Sequence, residues 1–249
     1  MTNFGIIKEG AVKLWKNPVL LVPTIFAAIA EYILMALFFL AIAAVSGISF
    51  SLLVFSSDTI TNALLSDSLA LVIIFGALLA VAMVLIGSFF SGMFIGMVNS
   101  KKINLDFGPG AKFFSRMLAF NVLFSLYSII AMAVIMLLSM LALKVSVWLM
   151  IIPVIICVAF LISLPLFALG SYYIVIKDLN AIDAIKKSSR IVWKNYFRIL
   201  GIFILLLIIY IVLMVVLGLI PIVGTVCAGV ILGTYIGICM YMFALEKAK

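Results

Sequence analysis

Residues 199–243 read ILGIFILLLIIYIVLMVVLGLIPIVGTVCAGVILGTYIGICMYMF, and this stretch contains no charged side chain. A helix needs about 20 apolar residues to cross a bilayer, so the stretch is long enough for two crossings joined by the turn GLIPIVG (218–224). Its apolar residues are continuous and do not alternate with polar ones, which favours helices over barrel strands. We therefore expect a helical hairpin in a membrane.

Four similar apolar runs precede this hairpin. The chain is 68% hydrophobic and only 10% charged, whereas a soluble domain carries about 25% charged residues. We expect an all-α, polytopic membrane protein, a single domain over residues 1–249, with six transmembrane helices arranged as three hairpins. The predicted spans are approximately 19–45, 69–98, 117–143, 147–176, 199–219 and 222–243.

Two departures from simple hairpins are expected. Residues 46–68, with Asp58 and Asp67, form a longer connection, for which we expect a short interfacial helix. Pro165 lies inside the fourth span and should kink it, because proline removes a backbone hydrogen bond.

The positions of the basic residues predict the orientation. Of the 16 Lys and Arg residues, all but Lys144 fall before the first span, after the sixth, or in the connections on that same side. Basic residues are enriched in cytoplasmic loops, so we expect both termini in the cytoplasm of a multi-pass cell membrane protein. The net charge of +8 then fits anionic lipid headgroups, and no nucleic acid partner is expected.

Two basic segments share the pattern I-K-x6-W-K-N. They are IIKEGAVKLWKN (6–17) and AIKKSSRIVWKN (184–195), at an offset of 178 residues. On a helix, each segment places apolar residues with a Trp on one stripe and basic residues on another face. We expect two amphipathic helices in the headgroup layer, and a degenerate third copy from GPGAKFFSRM (108–117).

Each of these helices precedes a hairpin, which gives repeat units of approximately 1–98, 99–176 and 177–249. The helices either anchor the hairpins or recognise anionic lipid or a cytosolic partner. The expected headgroup contacts are Lys13, Lys16, Trp15, Lys186, Lys187, Arg190, Trp193, Lys194 and Arg198.

Glu31 lies near the centre of the first span. An acidic residue at that depth costs roughly 2.5–3.5 kcal/mol on insertion scales. It is a candidate for a proton- or cation-coupled site, or for a polar anchor within a solute path. The alternative is a mostly neutral acid that is hydrogen-bonded to Asn121, or to a Ser or Tyr of a neighbouring span.

Small residues recur every four positions on the second and sixth spans, and such rows let helix backbones approach closely. We favour packing within the chain over a dimer seam, although a membrane partner or a homo-oligomer stays open. The residues are Ser88, Gly92 and Gly96, and Gly229, Gly233 and Gly237.

No cofactor and no catalytic set are expected. The chain has no histidine, and Cys157, Cys227 and Cys239 all lie within apolar runs without a CxxC pair. Zinc, haem and His-dependent catalysis are therefore not expected.

The segment AIDAIKKSSRIVWKNYFRILGIFILLL, followed by GLIPIVGTVCAGVILGTYIGICMYMF, resembles the last unit of a prokaryotic family of six-span proteins. That family is similar to the membrane domain of glycerophosphoryl diester phosphodiesterases and to related uncharacterised membrane proteins. The resemblance covers about 181–243, is weaker over 4–40, and implies a bundle of membrane hairpins with interfacial helices. A soluble phosphodiesterase barrel occurs only in some members, and this chain lacks it, so the resemblance implies no activity and no site residues.

Three functions follow from these features. We favour a non-enzymatic membrane scaffold or accessory subunit that contacts anionic lipid through its basic helices. The alternative is a transporter or lipid translocator with Glu31 as its protonatable group near the bilayer midplane. The third hypothesis is an intramembrane enzyme.

Overall fold

The computed structural model describes residues 2–46, 69–100, 103–217 and 223–248, and within them the chain is all-α. The connection with Asp58 and Asp67, most of the turn around Pro221, and residues Lys101, Lys102 and Lys249 lie outside the described residues. The α-helices are α1 (Asn3–Lys16), α2 (Val22–Ser46), α3 (Leu69–Asn99), α4 (Gly108–Val145), α5 (Ile151–Ser163), α6 (Gly170–Ile176), α7 (Ala181–Lys194), α8 (Tyr196–Leu217) and α9 (Val223–Ala248).

Within the described residues, six helical stretches are long and apolar enough to cross a membrane, which confirms the predicted fold class. They are Pro18–Ala41, Ile73–Asn99, Gly108–Lys144, Trp148–Ile176, Tyr196–Leu213 and Val226–Ala248. The third stretch begins earlier than predicted, because the basic segment 108–117 forms the first turns of α4 instead of a separate helix.

The fourth span is interrupted at the predicted proline. A 3-10 turn at Leu164–Phe167 separates α5 from α6, because Pro165 cannot donate to the helical ladder. Ser188 of α7 accepts a hydrogen bond from the Leu169 N–H at 3.2 Å and donates one to the Leu166 carbonyl at 2.6 Å. The break is therefore satisfied by a buried side chain from a neighbouring helix, as a low-dielectric surrounding requires.

The packed core lies at one end of the bundle, which we call the basic end because it carries α1 and α7. Fully buried side chains cluster where α3 and α9 end and where α8 begins, and they include Met97, Ile199 and Phe243. The opposite halves of the spans expose many large apolar side chains. In lipid that exposure carries no penalty, since acyl chains are as apolar as the side chains themselves.

Side-chain polar groups join α1 to the other helices at the basic end. Arg198 of α8 forms a two-pronged ion pair with Glu246 of α9, at 2.9 and 3.0 Å, and its Nε donates to the Asn3 Oδ1. Lys13 Nζ donates to the Val98 carbonyl at 3.0 Å, so it caps the last turn of α3, whose carbonyls have no helical partner. Tyr235 of α9 donates to the Ile7 carbonyl at 2.9 Å.

Gly96 sets the closest approach between α3 and α4. A Cβ built on Gly96 would overlap the Pro109 ring, so any larger residue forces the two helices apart. Gly87 lies on the same helix, more than two turns before Gly96. No heavy atom lies within 4 Å of a Cβ built on it.

We predict that Gly96→Ala lowers the melting temperature of the detergent-solubilised protein, whereas Gly87→Ala leaves it unchanged or raises it. Overpacking costs about 1–3 kcal/mol, while alanine is favoured over glycine in a helix by about 1 kcal/mol. Equal melting temperatures for the two variants would contradict the close approach.

Candidate intramembrane site and lipid-facing helices

The two basic segments form helices of equal length at equivalent positions. Both α1 and α7 contain 14 residues, and both follow an extended N-cap residue, Thr2 and Asn180 respectively. Both end at an asparagine whose side chain donates to the carbonyl four residues back, Asn17 to Lys13 and Asn195 to Ile191. The two ends are therefore capped by the same chemistry at the same offset of 178 residues.

The tryptophans of both helices face away from the protein. Trp15 is 89% exposed and Trp193 is 72% exposed, while Ile6 and Ala184, which are also 178 residues apart, are completely buried. Tryptophan prefers the headgroup level of a bilayer. The predicted headgroup contacts that are exposed beside these tryptophans are Lys16, Lys186, Arg190 and Lys194.

Three of the predicted headgroup contacts have partners inside the protein. Lys13 is half-buried against Val98 and lies over the Tyr241 ring at 5.1 Å, and this burial lowers the pKa of its ammonium group. Arg198 pairs with Glu246. Lys187 lies over the Tyr173 ring at 5.3 Å. The sequence pattern could not separate these residues from the outward-facing ones, because their partners come from distant parts of the chain.

Glu31 is an exposed residue of α2 that lines two open cavities. The near cavity, of about 300 Å³, extends from Glu31 towards the basic end; the far cavity, of about 460 Å³, extends towards the opposite end. Thr24, Ala27 and Glu31 of α2 line both. The remaining walls of the near cavity come from α2, α3, α6 and α9, and those of the far cavity from α2, α3 and α9.

Hydroxyl groups from three helices share the near cavity with the Glu31 carboxyl group. They belong to Thr24 of α2, Ser91 of α3, and Ser171 and Tyr172 of α6. Thr24 also accepts a hydrogen bond at 2.9 Å from Thr234 of α9. Since each hydroxyl donates one hydrogen bond and accepts others, the cavity can hydrogen-bond either a proton-bearing or a charged guest.

Asn121 does not line either cavity. Its side chain donates to the Ser88 Oγ at 2.9 Å, and Ser88 in turn donates to the Val84 carbonyl of its own helix. This pair links α4 to α3 inside the bundle. Among the residues described, no hydrogen bond joins Asn121 to Glu31, so the two predicted polar groups do not form one site.

The two rows of small residues meet different surroundings. Gly92 and Gly96 lie against the first turn of α4, and a Cβ on Gly237 would come within 2.6 Å of the Phe94 ring. Gly229 has open space around its Cβ position and lines the far cavity, while Gly233 lines the near one. The α9 row therefore gives close packing at Gly237 and leaves free volume beside Glu31.

The chemistry that this arrangement permits centres on one ionisable acid. Among the residues that the structure describes, Glu31 is the single carboxyl group lining the two cavities, and no Lys, Arg or Cys lines them. In the described part of the chain, no three His, Cys, Asp or Glu side chains are grouped so that they could hold a metal ion. The site is suited to exchanging a proton for another positively charged group.

Comparisons with protein-family models, with curated proteins and with solved structures found no match. The resemblance of residues 181–243 to the six-span family stays a prediction.

We predict that water reaches the Glu31 position but not a lipid-facing position two residues on. Glu31→Cys should react with a membrane-impermeant methanethiosulfonate reagent, whereas Ile33→Cys, whose native side chain is exposed outside the cavities, should not. The reason is that the reactive thiolate forms only where water solvates it. Both variants carry Ser at Cys157 and Cys227, and keep the buried Cys239. Equal labelling at both positions would contradict a hydrated cavity.

Proposed function

We propose that this chain is a transporter or lipid translocator of a prokaryotic cell membrane, with Glu31 as its titratable group. The observation that carries the proposal is that two cavities stacked along the bundle share this one carboxyl group. Polar residues inside a membrane usually mark substrate or ion pathways, and sites of transporters commonly lie near the midplane.

Free volume on both sides of Glu31 supports a route through the bundle. An acid that only anchors the helix needs one hydrogen-bond partner and no free volume beside it. A transported solute needs a binding partner and also free volume. Gly229 and Gly233 keep that space open on α9, and small side chains at Ala27 and Ala28 do so on α2.

The orientation that we propose has both termini in the cytoplasm. It is supported by the positions of the basic residues. Those of α1, α7 and the end of α9 lie at the basic end, whereas Lys144 lies in the last turn of α4, at the opposite end. Basic residues are retained on the cytoplasmic side during insertion.

The proposed activity is non-enzymatic. A catalytic hydroxyl group is commonly activated by an adjacent base such as histidine or lysine. Among the described residues, the cavity walls carry Glu31 and hydroxyl groups but no His, Lys or Cys, and we assign these hydroxyl groups to binding and orienting a guest.

We predict that Glu31→Gln abolishes proton uptake into proteoliposomes, whether the uptake is driven by an imposed potassium diffusion potential or by an outward gradient of monovalent cations loaded inside. Glutamine keeps the size and the hydrogen-bonding capacity of the side chain but cannot take up a proton. The readout is the fluorescence of a trapped pH-sensitive dye, with the protein reconstituted at equal density.

Glu9→Gln serves as the matched control, because Glu9 is exposed on α1 and lies outside both cavities. Proton uptake that is the same in the parent, in Glu31→Gln and in Glu9→Gln would rule out the proposed function.

A second candidate function is a scaffold or accessory subunit bound to anionic lipid. It is favoured by the exposed tryptophans of α1 and α7, and we infer from their equal length and caps that the two helices are copies of one unit. Basic residues near an anionic surface contribute about 1 kcal/mol each.

We predict that replacing Lys186, Arg190 and Lys194 with Gln removes the preference of Trp193 for anionic lipid. In a chain with Phe at Trp15 and Trp148, brominated phosphatidylglycerol should quench Trp193 more than brominated phosphatidylcholine does, and the triple replacement should cancel this difference. Lys144→Gln, at the opposite end of the bundle, should preserve it. An unchanged difference after the triple replacement would argue strongly against the scaffold.

A further inference from the structure

We propose that the solute bound at Glu31 is a monovalent organic cation with an apolar body, such as a hydrophobic amine or quaternary cation. The inference rests on the proposed function, and it is carried by the charge and the wall chemistry of the two cavities.

Among the described residues, the cavities offer one negative charge and no positive one. Glu31 is the single carboxyl group that these residues contribute to the lining, and they contribute no Lys or Arg. Glu31 is an exposed residue of α2, and a carboxylate near the bilayer midplane is stabilised by a guest of opposite charge. An anionic guest would meet repulsion with no compensating cation, so the guest that matches the site is a cation of charge one.

The walls beyond the carboxylate are mostly apolar and partly aromatic. Phe90, Phe94 and Tyr172 line the near cavity, and Met35 and Met83 line the far one. Aromatic faces attract organic cations, and methionine adapts to irregular apolar shapes. The two volumes lie near the lower end of the range of about 300–1,000 Å³ found for pockets of small organic molecules.

A bare inorganic cation fits this site less well. Calcium takes six to eight oxygen ligands, and magnesium takes six at short distances. Beside Glu31 the near cavity offers hydroxyl groups only, and α2 is an unbroken helix from Val22 to Ser46, so its carbonyls around Glu31 are used within the helix. An organic cation needs no such shell, because its charge is spread and its body is solvated by the walls.

Binding then follows a balanced exchange. The Glu31 carboxyl group releases its proton to water as the cation enters, and regains a proton when the cation leaves. No bond within the cation forms or breaks. One proton should therefore appear in solution for each cation bound at a pH where Glu31 is protonated in the empty site.

The probe is the tetraphenylphosphonium cation, and the control is tetraphenylborate, which has the same shape and opposite charge. Binding to the detergent-solubilised full chain is measured by equilibrium dialysis, and proton release is measured with a pH indicator in weak buffer. Tetraphenylphosphonium should bind at one site per chain with release of a proton, and tetraphenylborate should not bind. Glu31→Gln should weaken binding by at least about tenfold, since it removes a charge-assisted contact, while Glu9→Gln should not.

Two further variants keep the test independent of the folding of Glu31→Gln. Glu31→Asp retains the charge and should bind, more weakly than the parent. Gly229→Leu fills the far cavity and should reduce binding, whereas Gly76→Leu, on α3 outside both cavities, should not.

The outcomes separate this inference from the function that it refines. Proton uptake that depends on Glu31, together with no tetraphenylphosphonium binding, or with sodium displacing protons equally well, overturns the organic cation and leaves the transporter standing. Equal binding of the cation and of tetraphenylborate shows partition into the detergent and also overturns it. If the parent protein shows neither proton uptake nor cation binding, the two proposals are overturned together.

Discussion

Lipid leaves a backbone N–H or C=O no partner except the protein itself, and this constraint organises the structure. It requires helices for the spans, and it requires a substitute wherever a helix is interrupted or ends. Ser188 supplies that substitute at the break around Pro165, by bonding both the Leu166 carbonyl and the Leu169 N–H. Lys13 supplies it at the end of α3, by donating to the Val98 carbonyl. Two amphipathic helices thereby become structural parts of the bundle.

Hydropathy predicted the spans because continuous apolar length is a local property of the sequence. The helices α1 and α7 were also predicted from local pattern, since both segments share I-K-x6-W-K-N, whereas their asparagine caps became apparent only in the structure. The partners of the basic residues could not be predicted from the sequence. Lys13 lies on the amphipathic helix α1 and Arg198 lies in the first turn of α8, and only their tertiary contacts with Val98 and Glu246 turn them inwards. A pattern of charge along a helix gives its faces, but not which face meets another helix.

The candidate site was predictable in part for the same reason. The position of Glu31 near the centre of an apolar run identified it as costly to bury, and that required no structure. Its neighbours did require one, because Ser91, Ser171 and Tyr172 come from two other helices and are ordinary residues in a membrane span. The role of the α9 glycines was also ambiguous in sequence. The same small-residue row that packs against Phe94 at Gly237 leaves open volume at Gly229.

The uneven packing of the bundle bears on how a solute would pass Glu31. Towards the basic end, the near cavity is followed by buried side chains such as Cys239 and Met97. Polar bonds close this end, from Tyr235 to the Ile7 carbonyl and from Tyr241 to the Asn99 side chain. Each net hydrogen bond contributes only about 0.5–1.5 kcal/mol, so a few of them form a closure that is specific in geometry yet weak enough to open. Because α1 accepts one of these bonds at Ile7 and donates another from Lys13 to the Val98 carbonyl, while its Trp15 is exposed, movement of α1 would act directly on this end of the bundle.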